Sequence, residues 1–194
     1  MTSKDSSPLW YDAWATAWGP VGAVAGPKGL KRFVLPGHQL DELLELLAWE
    51  HRGAARDAEP FGGLVQLSKD YFNGRRVDFG PVTCDLPGEG SFSGKVYRAC
   101  RGVPYGETMS YSALAWQIGS QDAARAVATA MSKNQIALVV PCHRVIYADG
   151  RAGGFSAPGG PELKQRMLKL EGRAPGDNSA GPAAQRPRAG GESP

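Results

Sequence analysis

The sequence predicts an α/β protein built in two parts, and three observations predict it. Between Trp10 and Leu35, small apolar and aromatic residues are broken by Gly19-Pro20, Gly26-Pro27 and Pro36-Gly37, the punctuation of short antiparallel strands. Several later segments repeat apolar residues at helical spacing. Between the two regions, residues 75–90 carry Pro81, Pro87, Gly88 and Gly90 without periodicity, so the domain boundary is placed there.

In chain order, residues 1–8 are polar and expected to fray. Two or three strands follow up to Leu35. Trp10, Trp14 and Trp18 recur at fourfold spacing, but the Gly-Pro punctuation argues against a helix. Leu40, Leu43, Leu44 and Leu47 predict an amphipathic helix over 39–50, with Asp41, Glu42 and Glu45 towards water. Gly62-Gly63 reads as a break. Leu64, Leu67, Tyr71 and Phe72 then form a short helix stopped by Asn73-Gly74. Beyond the linker, Ser91 or Ser93 caps a helix with Phe92, Val96, Tyr97 and Cys100 on one side. Pro104-Tyr105-Gly106 turns the chain. Ser110 caps a helix from Tyr111 to Ile118, ended by Gly119, and Ser120 starts an alanine-rich helix from Gln121 to Ser132. This pair reads equally as a helix-turn-helix or as an ordinary helical hairpin. Ile136 to Val140 is a continuous apolar run and reads as a buried strand ended by Pro141. Asp149-Gly150 is a turn, and 153–160 is a glycine-rich loop fit to form a pocket rim. Pro161 starts a last helix, with Leu163, Met167, Leu168 and Leu170 inward and Gly172 as its stop. From Arg173 to Pro194 the composition predicts disorder.

Composition narrows the function. No apolar stretch is long enough to span a membrane and no signal-peptide pattern opens the sequence. Three cysteines, Cys84, Cys100 and Cys142, make neither a disulfide framework nor a CxxC metal pattern, which fits a reducing, cytoplasmic compartment. The net charge is +3 but unevenly spread. Residues 1–85 hold 9 basic against 11 acidic side chains, and residues 86–172 hold 10 against 6. The basic half suits a polyanionic partner.

Chemistry concentrates at Pro141-Cys142-His143-Arg144-Val145. Most free cysteines are small apolar core residues. A thiol set after a proline and followed by an imidazole is instead placed for nucleophilic work, which needs the thiolate and therefore a base. His143 is the candidate base, and an acceptor on its second nitrogen would fix its tautomer.

These residues resemble the active-site motif of the O6-alkylguanine-DNA alkyltransferases. The resemblance extends over Val103-Pro104-Tyr105-Gly106-Glu107-Thr108, Ser110-Tyr111, Ala123-Ala124-Arg125-Ala126-Val127, Asn134, Gly153-Gly154-Phe155-Ser156, Lys164 and Glu171-Gly172, in order across 92–172. Residues 9–85 match more loosely, chiefly through Tyr71-Phe72-Asn73-Gly74 and the early hairpin pattern. The resemblance implies a ribonuclease-H-like α/β domain with linker over 1–85 and a mostly helical winged helix-turn-helix domain over 86–172. Residues 173–194 form the tail. It implies a monomer acting on double-stranded DNA that carries O6-alkylguanine, with O4-alkylthymine as a second candidate lesion. The lesion is flipped out and its alkyl group passes irreversibly to Cys142, once per molecule, without a cofactor. In a bacterium such a protein would sit at the nucleoid, in a eukaryote in the nucleus.

The same resemblance assigns roles. His143 acts on Cys142 through a water molecule, Glu171 orients His143, and Asn134 braces the turn around the thiol. Arg125 fills the space of the flipped base, from a helix that Ala124, Ala126 and Ala128 keep slim for the minor groove. Tyr111 contacts the flipped base and the rotating phosphate. Val145, Phe155, Ser156 and Lys164 complete the substrate pocket. Each has a plainer reading: Arg125 as a solvated side chain, Asn134 as a turn former, Glu171 as a surface acid, Lys164 as an exposed helix lysine. The chain also departs from the family. Phe155 replaces a common Tyr, and Ala128 a common Gly. The loop Ser156-Ala157-Pro158-Gly159 is two residues longer than in mammalian members, which reads as a neutral insertion. Only Cys84, His38 and His51 stand where some members bind zinc, so no metal is expected, nor a methylphosphotriester-sensing module. Two other readings compete. A lesion-binding relative would lack Cys142. A thiol hydrolase would leave the Tyr111-to-Arg125 series unexplained.

Overall fold

The computed structural model describes residues 7–173. Three strands open it: β1 (Trp10–Thr16), β2 (Gly19–Gly26) and β3 (Gly29–Val34). They pair antiparallel through two tight turns, and Ala55–Arg56 (β4) adds parallel to β1, giving the order β3-β2-β1-β4. Gly19-Pro20, expected as a turn, instead begins β2, and the turn falls one step earlier at Ala17-Trp18. The strand residues alternate between two cores. Ala13, Val24 and Val34 face α1 (Leu40–Glu50) through Leu43 and Leu47, whereas Trp14, Val21, Ala23 and Phe33 face the rest of the molecule. Asp41, Glu42 and Glu45 point to water as expected, but Leu40 and Trp49 are exposed too.

Helix α2 (Gly62–Phe72) begins at the glycine pair expected to break the chain. Pro60 sits in the 3₁₀ turn that leads into it, and Leu64, Ser68, Tyr71 and Phe72 are buried along it. Tertiary burial there, about 1.5–3 kcal/mol for each large apolar side chain, outweighs a glycine penalty of about 1 kcal/mol. Trp14 Nε1 donates to Ser68 Oγ at 2.9 Å, which ties α2 under β1. Asn73-Gly74 ends the helix as predicted.

Residues 75–90 contain no helix and no regular strand, yet they are packed. Val77 and Phe79 are buried. Leu30 N–H donates to Thr83 O and Asp85 N–H to Leu30 O, both at 2.9 Å, so this segment borders β3. One continuous buried cluster then runs from Trp14 and Phe33 through Tyr71 and Phe79 to Met131, Cys142 and Met167.

Four helices follow: α3 (Phe92–Arg101), α4 (Tyr111–Gln117), α5 (Ala124–Ser132) and α6 (Gly160–Leu170). Ser91 Oγ accepts from Gly94 N–H and Ser110 Oγ from Ala113 N–H, so both predicted caps form. Ser120 does not start α5. Its carbonyl accepts Ala123 N–H in a turn, and the helix begins at Ala124 without a side-chain cap. The two-residue strands Met109–Ser110 (β5) and Val145–Ile146 (β6) pair in parallel and were invisible to pattern reading because of their length.

The apolar run 136–140 is buried but is not a strand. Ile136 makes one parallel bridge with Phe33, and the chain then turns: Val139 N–H donates to Ala137 O, Val140 N–H to Ile136 O, and Leu138 adopts φ 71°. Burial on all sides satisfies a hydrophobic pattern whatever the backbone does, so the run alone did not distinguish strand from buried turn. The expected disorder of 173–194 lies, beyond Arg173, outside the described residues, as does the fraying of 1–6.

Gly29 has φ 110°, and a Cβ there would lie 2.6 Å from Thr83 O. Gly29→Ala should therefore destabilise the fold by about 2–4 kcal/mol, through strain and loss of the contact between β3 and the connecting segment, read as a lower midpoint in urea.

Candidate active site

The site is built where α5, the turn after it and α6 meet. Cys142–Arg144 forms one 3₁₀ turn, entirely buried. Asn134, just past α5, holds the turn from beneath: its Oδ1 accepts Ile136 N–H at 3.0 Å and its Nδ2 donates to Val140 O at 2.9 Å. The same Nδ2 lies 3.2 Å from Cys142 Sγ. The expected bracing and thiol contact are thus made by one amide. Burial pushes the Cys142 thiol up from its ordinary value, while the Asn134 donor and the Lys164 charge pull it back down.

His143 is fully buried. Its Nε2 lies 2.7 Å from Glu171 Oε1, and its Nδ1 has no hydrogen-bond partner among the described residues. Burial also keeps the ring neutral, lowering its pKa despite Glu171. Burial alone would raise the Glu171 carboxyl, but His143 and Arg144 bring it down to about 2. An ionised carboxylate accepts only, so the ring proton sits on Nε2 and Nδ1 keeps its lone pair.

Glu171 is far more constrained than its place at a helix end suggests. Oε1 also accepts from Tyr71 Oη at 2.8 Å and Arg144 Nη2 at 3.0 Å; Oε2 accepts from Arg144 Nε at 2.9 Å and Gly106 N–H at 3.1 Å. Arg144 Nη1 donates to Val103 O at 2.8 Å. Arg144, Tyr71 and Gly106 were read as motif members without a role. The signal for Arg144 was its place directly after His143. No local signal links Tyr71, 100 positions before Glu171, to the site.

Lys164 is not the exposed helix lysine of its plainer reading; it is 1% exposed. Nζ donates to Val145 O at 2.6 Å and lies 3.5 Å from Tyr111 Oη. Burial lowers its pKa to about 8 and raises that of Tyr111 to about 12. Tyr111, Val145 and Lys164 are thus brought together behind the thiol. Phe155 is half-buried on the core, and Ser156 is exposed in the loop before α6. Arg125 lies outside this cluster, exposed on α5 beside exposed Ala126, with Ala124 and Ala128 half-buried and Val127, Ala130 and Met131 inward. Among the described residues no three His, Cys, Asp or Glu side chains gather as a metal site, and no helix is long and apolar enough to cross a membrane.

Residues 91–173 match the family model for the DNA-binding domain of 6-O-methylguanine DNA methyltransferase. A methylated-DNA–protein-cysteine methyltransferase of Methanosarcina acetivorans is 43% identical over 166 residues, spanning 84% of this chain and 99% of that protein. One from Mycolicibacterium paratuberculosis is 45% identical over 121 residues, 62% of this chain and 71% of that protein. The crystal structure of Mycobacterium tuberculosis OGT in complex with DNA shares the mixed α/β fold at a TM-score of 0.69 and 34% identity, covering 87% of this chain and 96% of that one.

Removing the Asn134 donor raises the thiol pKa, so Asn134→Ala should shift the pH profile of Cys142 alkylation by iodoacetamide upward by about one unit. Glu171→Gln leaves Arg144 buried without its anion, and should cost about 3–5 kcal/mol in chemical denaturation. The acid response has one sign throughout. His143 and Glu171 both have folded pKa values below their unfolded ones, so stability falls as pH drops below about 6.5, and again between about 4.5 and about 2. Circular dichroism against pH should show that loss, with the lower step missing in Glu171→Gln.

Proposed function

Because the chain belongs to the family of methylated-DNA–protein-cysteine methyltransferases, we propose that Cys142 is the residue that takes the alkyl group from O6-alkylguanine in duplex DNA. The protein repairs alkylated DNA by transferring the alkyl group to a cysteine of its own. The observation that carries the assignment to Cys142 is the unpartnered Nδ1 of buried His143, the residue next to the thiol, with Nε2 committed to Glu171. That nitrogen takes the thiol proton. The sulfur attacks the alkyl carbon, the carbon–O6 bond breaks, and guanine leaves with the bonding electrons and is then protonated. The thioether is inert, so each molecule reacts once. Asn134 and Lys164 offset the cost of thiolate charge in a buried place.

Residues 1–85 form a ribonuclease-H-like domain with its linker. Residues 86–172 form a winged helix-turn-helix in which α4 and α5 are the two helices and the short β5–β6 pair lies beside them. On this reading the outer face of α5, where Arg125 and Ala126 are exposed, lies against the minor groove, and Arg125 enters the stack as the lesion turns out towards Tyr111. Val145, Phe155 and Ser156 line the pocket around it. On this reading the protein acts as a monomer in the cytoplasm, at the nucleoid if bacterial and in the nucleus if eukaryotic, on O6-alkylguanine, with O4-alkylthymine as a second candidate lesion.

Intact-mass spectrometry after mixing with duplex DNA holding one O6-methylguanine tests this. One methyl gained per molecule, mapped to Cys142 and absent from Cys142→Ala, is the expected result. DNA binding without mass gain would leave a lesion-binding protein. Arg125→Ala should retain the transfer but slow it by about 10–1000-fold, since a few kcal/mol of base extrusion then lacks compensation.

A further inference from the structure

Between β6 and α6, the short stretch from Gly153 to Pro158 starts beside Tyr111 and ends against a different part of the molecule. At its inner end, Gly153 lies so close to Tyr111 that a Cβ would sit 3.3 Å from the phenol oxygen and 3.0 Å from Tyr147 Cε2. Phe155 and Ala157 pack on the main core, while Gly154 and Ser156 are exposed. At its outer end, Pro158 is seated on Gly37, in the corner that follows β3, where any Cβ would overlap the proline ring. Pro36 beside it is buried, so the corner is stiff. Helix α6 meets the sheet half at two further points. The Arg166 guanidinium lies 3.7 Å over the Trp18 ring, and Leu170 reaches Gly74. The stretch is therefore held between two contacts, Tyr111 and Gly37, and the helix that follows it is tied to Trp18 and Gly74.

We infer that the Pro36-Gly37 corner is the outer stop of the pocket loop, and that Pro158 seated on it limits the size of alkyl group that can lie beside Cys142. The inference rests on the reading of Cys142 as the alkyl acceptor. A bulky substituent needs Phe155 and Ser156 to move outward, and with both ends held a loop this short has few other conformations. The two additional residues, taken from the sequence as a neutral insertion, are part of the stretch that reaches the corner. Pro158 is not itself one of the groups that hydrogen-bond the thiol turn, His143 or Glu171.

Single-turnover rates on duplex DNA carrying either O6-methylguanine or O6-benzylguanine test this in the full chain. Pro158→Gly frees the outer end, and should raise the benzyl-to-methyl rate ratio about fivefold or more while the methyl rate stays within about twofold. Pro158→Ala, which keeps the Cβ and loses the ring, should give a smaller rise in the same direction and serves if the glycine variant does not fold. An unchanged ratio in a folded variant with the wild-type methyl rate overturns the stop. A wild-type protein that removes neither group overturns the assignment of Cys142, and the stop falls with it.

Discussion

The carboxylate of Glu171 is the point on which the site depends. It accepts five hydrogen bonds, from Tyr71, His143, Gly106 and twice from Arg144. These donors come from α2, from the turn before β5 and from the reactive turn, while the acceptor ends α6. A carboxylate there opposes the helix dipole. Five donors, two of them from a guanidinium, reverse that penalty and keep the group ionised. The ion pair is fully buried, so its worth lies less in net stability than in geometry. One tautomer of His143 satisfies it, and that tautomer leaves the Nδ1 lone pair free.

The thiol is arranged by the opposite logic. Cys142 is buried without a full counter-charge: burial raises its pKa, and Asn134, Lys164 and the backbone N–H groups of Cys142 and His143 push back. A permanently ionised thiolate would be exposed to adventitious electrophiles. A thiol kept neutral until a base takes its proton reserves its reactivity for a bound substrate. Lys164 is held in the same balance, with a pKa near 8 and its ammonium spent on Val145 O and Tyr111. The second buried thiol, Cys100, is pushed well up by burial first and by Cys142 second, against the smaller opposing pull of Arg144 and Lys164.

The sheet half holds the site in place without supplying the thiol. Trp18 under Arg166, Gly74 against Leu170, Gly37 under Pro158 and Tyr71 on Glu171 hold the last helix from end to end. This continuity explains why residues 75–90 looked like a linker and yet bury Val77 and Phe79. Few residues with regular periodicity are needed when a segment is fixed by backbone bonds to β3 and by a few apolar anchors.

The sequence by itself determined the hairpins of the first 35 residues, the helix around Leu43 and Leu47, the caps at Ser91 and Ser110, the stops at Asn73-Gly74 and Gly172, and the place of the Cys142-His143 motif. Each follows from neighbouring residues through side-chain periodicity, capping or a required backbone angle, which short-range physics expresses directly. The tertiary structure alone decided the rest. It turned the run at 136–140 back on itself, began α2 at Gly62-Gly63, delayed α5 to Ala124, buried Lys164, and brought Tyr71, Gly106 and Arg144 to one carboxylate. Those outcomes depend on partners tens of residues away, and a buried polar group is chosen by whichever donors the folded core leaves within reach.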